Sequence, residues 1–138
     1  MAEPARRSGC LARGTAIWVE NMPFAFLPGI DELMSALSRY GADEVGVVYD
    51  VANAYFVGED LGYGLKAAGS RLRLVHLSDT TRQIYRHDPV GQGSVPFATL
   101  PPLLANVGYT RHCMLEIISN TPEIDIPDSV ARLNALEF

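Results

Sequence analysis

The chain has 138 residues, 48% of them hydrophobic and 20% charged, a normal length for a single domain, 1–138, with one buried core and no low-complexity segment. Eleven Lys and Arg against 16 Asp and Glu leave a formal net charge of -5, which repels a phosphate backbone and argues against a nucleic-acid partner. No apolar run approaches the roughly 18 residues of a membrane span and the N-terminus lacks the apolar core of a signal peptide, so a soluble protein with no membrane partner is expected.

Met1 to Gly14 read as a remnant helix. The apolar run TAIWVE, Thr15 to Glu20, is the first strand, followed by a turn rich in Pro and Gly, NMPFAFLPG. Ile30, Leu33, Leu37 and Tyr40 then repeat at helical spacing up to Gly41, a residue suited to a helix end. VGVVYD, ending at Asp50, is the second strand and leads to a weaker helix over Asp60 to Ala68, interrupted by Gly62 and Gly64. LRLVHLSD carries His76 as the third strand, and a long polar loop from Thr80 to Pro96 follows. Thr99 to Val107 read as a helix, with Pro101 and Pro102 tolerable only in its first turn. HCMLEII, with Glu116, is the fourth strand, and a last helix is expected to start near Pro127.

Strands that alternate with helices and are nearly continuous in apolar character imply an α/β fold with parallel pairing through right-handed crossovers. The count is about four βα units, whereas a complete eight-stranded barrel usually needs about 250 residues. The expected architecture is therefore an incomplete barrel, about half of one.

Each of the four apolar runs ends in a metal-capable side chain: Glu20, Asp50, His76 and Glu116. Strand parity puts Glu20 on a face with Ala16 and Trp18, Asp50 with Gly46 and Val48, His76 with Leu72 and Leu74, and Glu116 with His112 and Met114. In parallel neighbours all four would stand at the C-terminal ends of the strands, where α/β folds place their chemistry. Two Glu, one Asp and one His make a hard, mostly oxygen site that suits Mn²⁺, Co²⁺ or Mg²⁺ better than Zn²⁺, whose structural sites favour thiolates. Each residue also has a plainer reading: Glu20 as a solvated carboxylate, Asp50 as a helix cap, His76 as a hydrogen-bonded core histidine. Trp18 and His112 read as packing residues, and Asn21 and Asp79 as groups that orient ligands or as surface turns. Cys10 and Cys113 stand far apart with no metal-ligand spacing, which fits a reducing cytoplasm, and Cys113 is expected to face the helical layer.

ENMPF, YDVAN, VHLSD, the loop RHDPVGQGSVPF and the LEI of the last strand, taken together over Thr15 to Ile118, resemble the C-terminal half of the xylose-isomerase-like barrel superfamily, whose members include sugar isomerases, epimerases and endonuclease IV relatives. The resemblance implies a divalent-metal-dependent sugar or sugar-phosphate isomerase or epimerase, with Glu20, Asp50, His76 and Glu116 as metal ligands. Glu20 and Glu116 would also be the paired acid and base that move a proton next to a carbonyl through an enediolate-like intermediate. Arg86 and His87 match the loop positions that reach substrate, with Arg82 as a rival for the Arg, and Gly91 and Gly93 allow the loop its backbone angles. The chain departs from the family at Asn53, where many relatives carry the substrate-contacting His of Asp-x-x-His; by that position Asn53 joins Arg86 and His87 as a candidate substrate-binding residue. Loss of that imidazole disfavours the three-zinc nuclease reading and favours a single-metal site. Because the other half of a barrel is not in the sequence, two further expectations follow: a homodimer or a separate N-terminal half-barrel chain as partner, and, as an alternative function, a non-catalytic half-barrel assembly module.

Overall fold

A computed structural model describes residues 14–138. The helix expected over Met1 to Gly14 lies outside the described residues, apart from Gly14 itself, which stands in a turn. Strands β1 (Ile17–Glu20), β2 (Val45–Asp50), β3 (Leu72–Leu77) and β4 (Met114–Leu115) form one open parallel sheet in that order. Helices α1 (Ile30–Leu37), α2 (Val51–Phe56), α3 (Leu61–Ala68), α4 (Leu100–Asn106) and α5 (Pro122–Asn134) alternate with them. This is the half barrel expected from the sequence.

The core lies between the sheet and its helices. Val45, Val47 and Tyr49 of β2 and Val75 and Leu77 of β3 pack in one cluster with Leu33, Leu37, Leu65, Leu100 and Leu104. Each fully buried side chain of this size stabilises the fold by about 1.5–3 kcal/mol. Leu72 belongs to this cluster too, which corrects the parity reading. A register irregularity between Val47 and Val48 sets Leu72 opposite Val47, while Leu74 pairs with Val48. One extra residue in a strand reverses the parity of everything before it.

The opposite face of the sheet is half open. Trp18 and Met114 are each 46% exposed, whereas Val48 between them is buried. Gly46 explains part of the closure: a Cβ there would lie 2.3 Å from Arg73 Cγ and 3.1 Å from Trp18 Cδ1. Lacking one, Gly46 lets both side chains close over β2. Arg71 and Arg73 hold the carbonyls of Gly41, Val45 and Ala42 around the starts of the strands, so they are not gathered at the end that carries the four ligands. His112, expected to pack, is exposed.

Three helices differ from the sequence reading. α1 stops at Leu37 rather than Gly41, because the Ser38 hydroxyl and N–H both turn back to the Ser35 carbonyl. α2 is a six-residue helix too short to show a period, and it forms because Asp50 caps it, Oδ1 accepting from the Asn53 N–H at 2.6 Å. α5 starts at Pro122 and carries Pro127 inside it. A proline there removes one helical bond, and tertiary docking outweighs that loss: Ser129 Oγ accepts from the Val90 N–H at 3.1 Å and Leu133 enters the core. No helix among the described residues is long and apolar enough to cross a membrane.

Candidate metal centre

Parallel order brings the strand ends to one edge, and the four candidate ligands come with them. Glu20 closes β1, Asp50 closes β2, His76 is the penultimate residue of β3, and Glu116 follows β4 with its N–H on the Leu77 carbonyl at 3.0 Å. One donor atom from each of the four lies within 4.8 Å of all the others. His76 Nδ1 stands 2.9 Å from Glu116 Oε2, 3.8 Å from Glu20 Oε1 and 4.0 Å from Asp50 Oδ2.

The electrostatics of this cluster are those of a site short of positive charge. Asp50 is fully buried, and burial first, then the charges of Glu20 and Glu116, pushes its carboxyl up to about 8 against the Asn53 N–H bond that lowers it. His76 is raised above its ordinary value first by the Glu20 carboxylate, 3.8 Å away, then by the charges of Glu116, its hydrogen-bond partner at 2.9 Å, and Asp50, against burial. Asp50 divides its two oxygens. Oδ1 caps α2, while Oδ2 is buried with no hydrogen-bond partner and turns to His76 Nδ1. A buried carboxylate oxygen left unpaired is costly, and three carboxylates converging on one imidazole nitrogen form the donor set of a hard divalent cation. The residues present therefore fit a metal.

Polar side chains around the four donors fix them in place. Asn21, buried behind the site, holds the Asp50 backbone on both sides, Oδ1 accepting from its N–H at 2.7 Å and Nδ2 donating to its carbonyl at 3.0 Å. Asn53 Nδ2 donates to Glu20 Oε1 at 3.1 Å and to the Asn21 carbonyl at 2.8 Å. Asn53 thus sits inside the cluster's support rather than facing open space.

The long loop after β3 brings His87 back to the site and leaves Arg86 outside it. His87 Nδ1 is 2.9 Å from Ser78 Oγ, 3.7 Å from Glu116 Oε2 and 3.9 Å from Asp50 Oδ2. The Arg86 side chain is exposed and its nearest acid is Asp88, at 4.0 Å. Arg82 lies over the Tyr55 ring at 4.3 Å. Asp79 organises the loop instead of touching the ligands, its carboxylate accepting from the N–H groups of Thr80, Gly91 and Val95. Gly91 takes a positive φ of 90°. Gly93 is needed for a different reason, since a Cβ there would meet the Thr80 carbonyl oxygen at 2.3 Å.

Sequence reasoning missed Tyr85 and Ser78. The Tyr85 hydroxyl donates to Asn53 Oδ1 at 2.8 Å and bonds His87 Nε2 at 2.8 Å, while its ring packs against Phe24 and Phe56 at 5.1 and 5.3 Å between centroids. Burial, and then the carboxylates of Asp50, Glu20 and Glu116, pushes its pKa up to about 12, so it stays a donor. The one available signal was parity: Tyr85 and His87 are two apart in an extended loop.

The family model of the xylose isomerase-like TIM barrel matches residues 8–136. The chain belongs to this family. Among solved structures it is similar to the apo form of 3-keto-D-glucoside 4-epimerase from E. coli, with a TM-score of 0.77 and 18% identity over 95% of this chain and 50% of that one. It is similar also to a xylose isomerase domain protein from Planctomyces limnophilus, at 0.74 and 18% over 94% and 48%. D-psicose 3-epimerase from Clostridium cellulolyticum H10, solved with D-tagatose, matches at 0.66 and 17% over 92% and 48%. These identities speak for the fold, and the chain spans about half the length of these structures. No curated protein matches the chain.

Proposed function

We propose that the chain carries the metal centre of a divalent-metal-dependent sugar or sugar-phosphate isomerase or epimerase. The observation that carries this reading is the convergence of Glu20, Asp50, His76 and Glu116 within 4.8 Å, with Asp50 Oδ2 buried and unpaired among them. Membership of a family whose solved neighbours include sugar epimerases supports the same substrate class. The four residues would hold Mn²⁺, Co²⁺ or Mg²⁺, which would polarise a carbonyl and an adjacent hydroxyl of the sugar.

The chain's own residues would do the proton work. Asp50 and His76, 0% and 7% exposed, are fixed by the core and serve to hold. Glu20 and Glu116 are more open, with side chains 26% and 41% exposed, and each can take or return a proton at the carbon next to the carbonyl. His87, buried and with both ring nitrogens engaged by Ser78 and Tyr85, would brace the cluster rather than contact a substrate oxygen. Asn53 likewise spends its amide on Glu20, Asn21 and Tyr85, which supports one metal rather than several.

The open inner face favours a second component. Trp18 and Met114 lie half exposed on the outer strands β1 and β4 themselves, each of which has an unpaired edge. A second copy or a separate N-terminal half barrel would cover them and complete the site. The same observation supports the other reading, a half barrel that serves only in assembly.

Titration with Mn²⁺ alone, followed by incubation with a panel of ketoses in deuterated water, separates the readings. Saturable binding and deuterium next to the product carbonyl are expected. Binding of neither metal nor sugar, with an oligomer in sedimentation, would favour the assembly module.

A further inference from the structure

The Tyr85 hydroxyl stands between the two side chains that brace the cluster from the loop and from α2. Asn53 is 1% exposed and its amide has one consistent orientation: Nδ2 faces two oxygen acceptors, Glu20 Oε1 and the Asn21 carbonyl, and Met22 Sδ at 3.5 Å, so Oδ1 must be the acceptor for Tyr85. The Tyr85 hydroxyl has one hydrogen and spends it there. Its bond to His87 Nε2 at 2.8 Å therefore has the imidazole as donor. In the neutral ring, Nδ1 then accepts from the Ser78 hydroxyl at 2.9 Å. The outcome is a one-way chain of hydrogen bonds from Ser78 through His87, Tyr85 and Asn53 to Glu20.

We propose that Tyr85 is a positioning residue of this centre, its hydroxyl setting the Asn53 amide and the His87 tautomer and so holding the Glu20 carboxylate among the other donors. The proposal rests on the reading of Glu20 as ligand and base. Asn53 touches two of the four donors at once, its backbone N–H on Asp50 Oδ1 at 2.6 Å and its amide on Glu20 Oε1 at 3.1 Å. A flipped amide would set Oδ1 against the Glu20 carboxylate and the Asn21 carbonyl. Tyr85 stabilises the other orientation by supplying the hydrogen that Oδ1 needs. The Tyr85 ring packs edge-on to Phe24, at 89°, and tilted against Phe56, at 56°, but the direction of its hydroxyl is set by its two hydrogen bonds, to Asn53 and His87.

The test uses the whole chain, ¹⁵N-labelled, and Tyr85→Phe, which keeps the ring and removes only the hydroxyl. In metal-free wild-type protein, NMR should find His87 with its hydrogen on Nε2 and a slowly exchanging Asn53 side-chain amide. Tyr85→Phe should average the His87 tautomers, speed exchange of the Asn53 amide and weaken binding of Mn²⁺ alone about 10-fold, as loss of an outer support does. Phe24→Leu removes a ring contact but leaves the hydroxyl, and should change none of the three. A wild-type His87 with its hydrogen on Nδ1 would overturn the proposal without any variant. So would an unchanged His87 and Asn53 in Tyr85→Phe, changed signals with unaltered Mn²⁺ affinity, or a Phe24→Leu protein that behaves like Tyr85→Phe. If wild-type protein takes up no Mn²⁺, the metal reading fails, and the His87 and Asn53 signals alone decide whether Tyr85 positions them.

Discussion

The two central strands and the two outer ones contribute to the same site in different ways. β2 and β3 are paired on both sides and backed by the helical core, and the residues they offer, Asp50 and His76, are buried and restrained. β1 and β4 are paired on one side only, and their glutamates remain partly open. On the proposed reading the difference would let one cluster both hold and react: a ligand fixed in a dry interior keeps its geometry, whereas a carboxylate that moves a proton needs access to substrate and freedom to change its charge.

Substitutions on the two pairs of strands test this division directly. The largest effect should come from an outer strand: Glu116→Gln keeps an amide oxygen for coordination but cannot act as a base, so deuterium exchange should fall by roughly 10²–10⁴-fold while Mn²⁺ binding largely survives. Equal losses of binding and exchange would place Glu116 with the holding residues instead. On the central pair, Asp50→Asn preserves an oxygen to cap α2 and removes the charge, and Mn²⁺ affinity measured by calorimetry should drop on the order of 100-fold with the fold intact.

Stability should divide along the same line. Leu77→Ala, on β3 in the core, is expected to cost about 2–5 kcal/mol in denaturant unfolding. Trp18→Ser, on the half-open face of β1, should cost about 0.5–1 kcal/mol in an isolated chain. A much larger loss at Trp18, with a change in sedimentation, would mean that a second component covers that face. The smallest disturbance is a chemical probe at the outer edge. Burial pushes the Cys113 thiol up to about 11, so less of it is thiolate at pH 8 than in an ordinary cysteine near 8.5. In a Cys10→Ser background, alkylation of Cys113 should be slow at pH 8 and rise with each unit of pH toward 11; fast labelling at pH 8 would show that the packing around β4 opens in solution.

The sequence by itself determined the alternation of strands and helices, the parallel order and the identity of the four converging donors, because these follow from local rules. Apolar runs of strand length mark the strands, and in a parallel sheet every run that ends in Glu, Asp or His delivers that residue to the same edge. Tertiary structure alone decided the rest. Whether Asp50 was a cap or a ligand candidate had no answer in its neighbours; folding gave Oδ1 to the Asn53 N–H and left Oδ2 facing His76. Leu72 changed face through an irregularity in β2–β3 pairing, and Pro127 stayed helical because α5 docks through Ser129 and Leu133. The Asn53 amide found its partners 32 residues away on either side, at Asn21 and Tyr85. Periodicity reports what a segment buries, whereas a hydrogen bond between segments depends on where the chain returns, and that is set only when the core has closed.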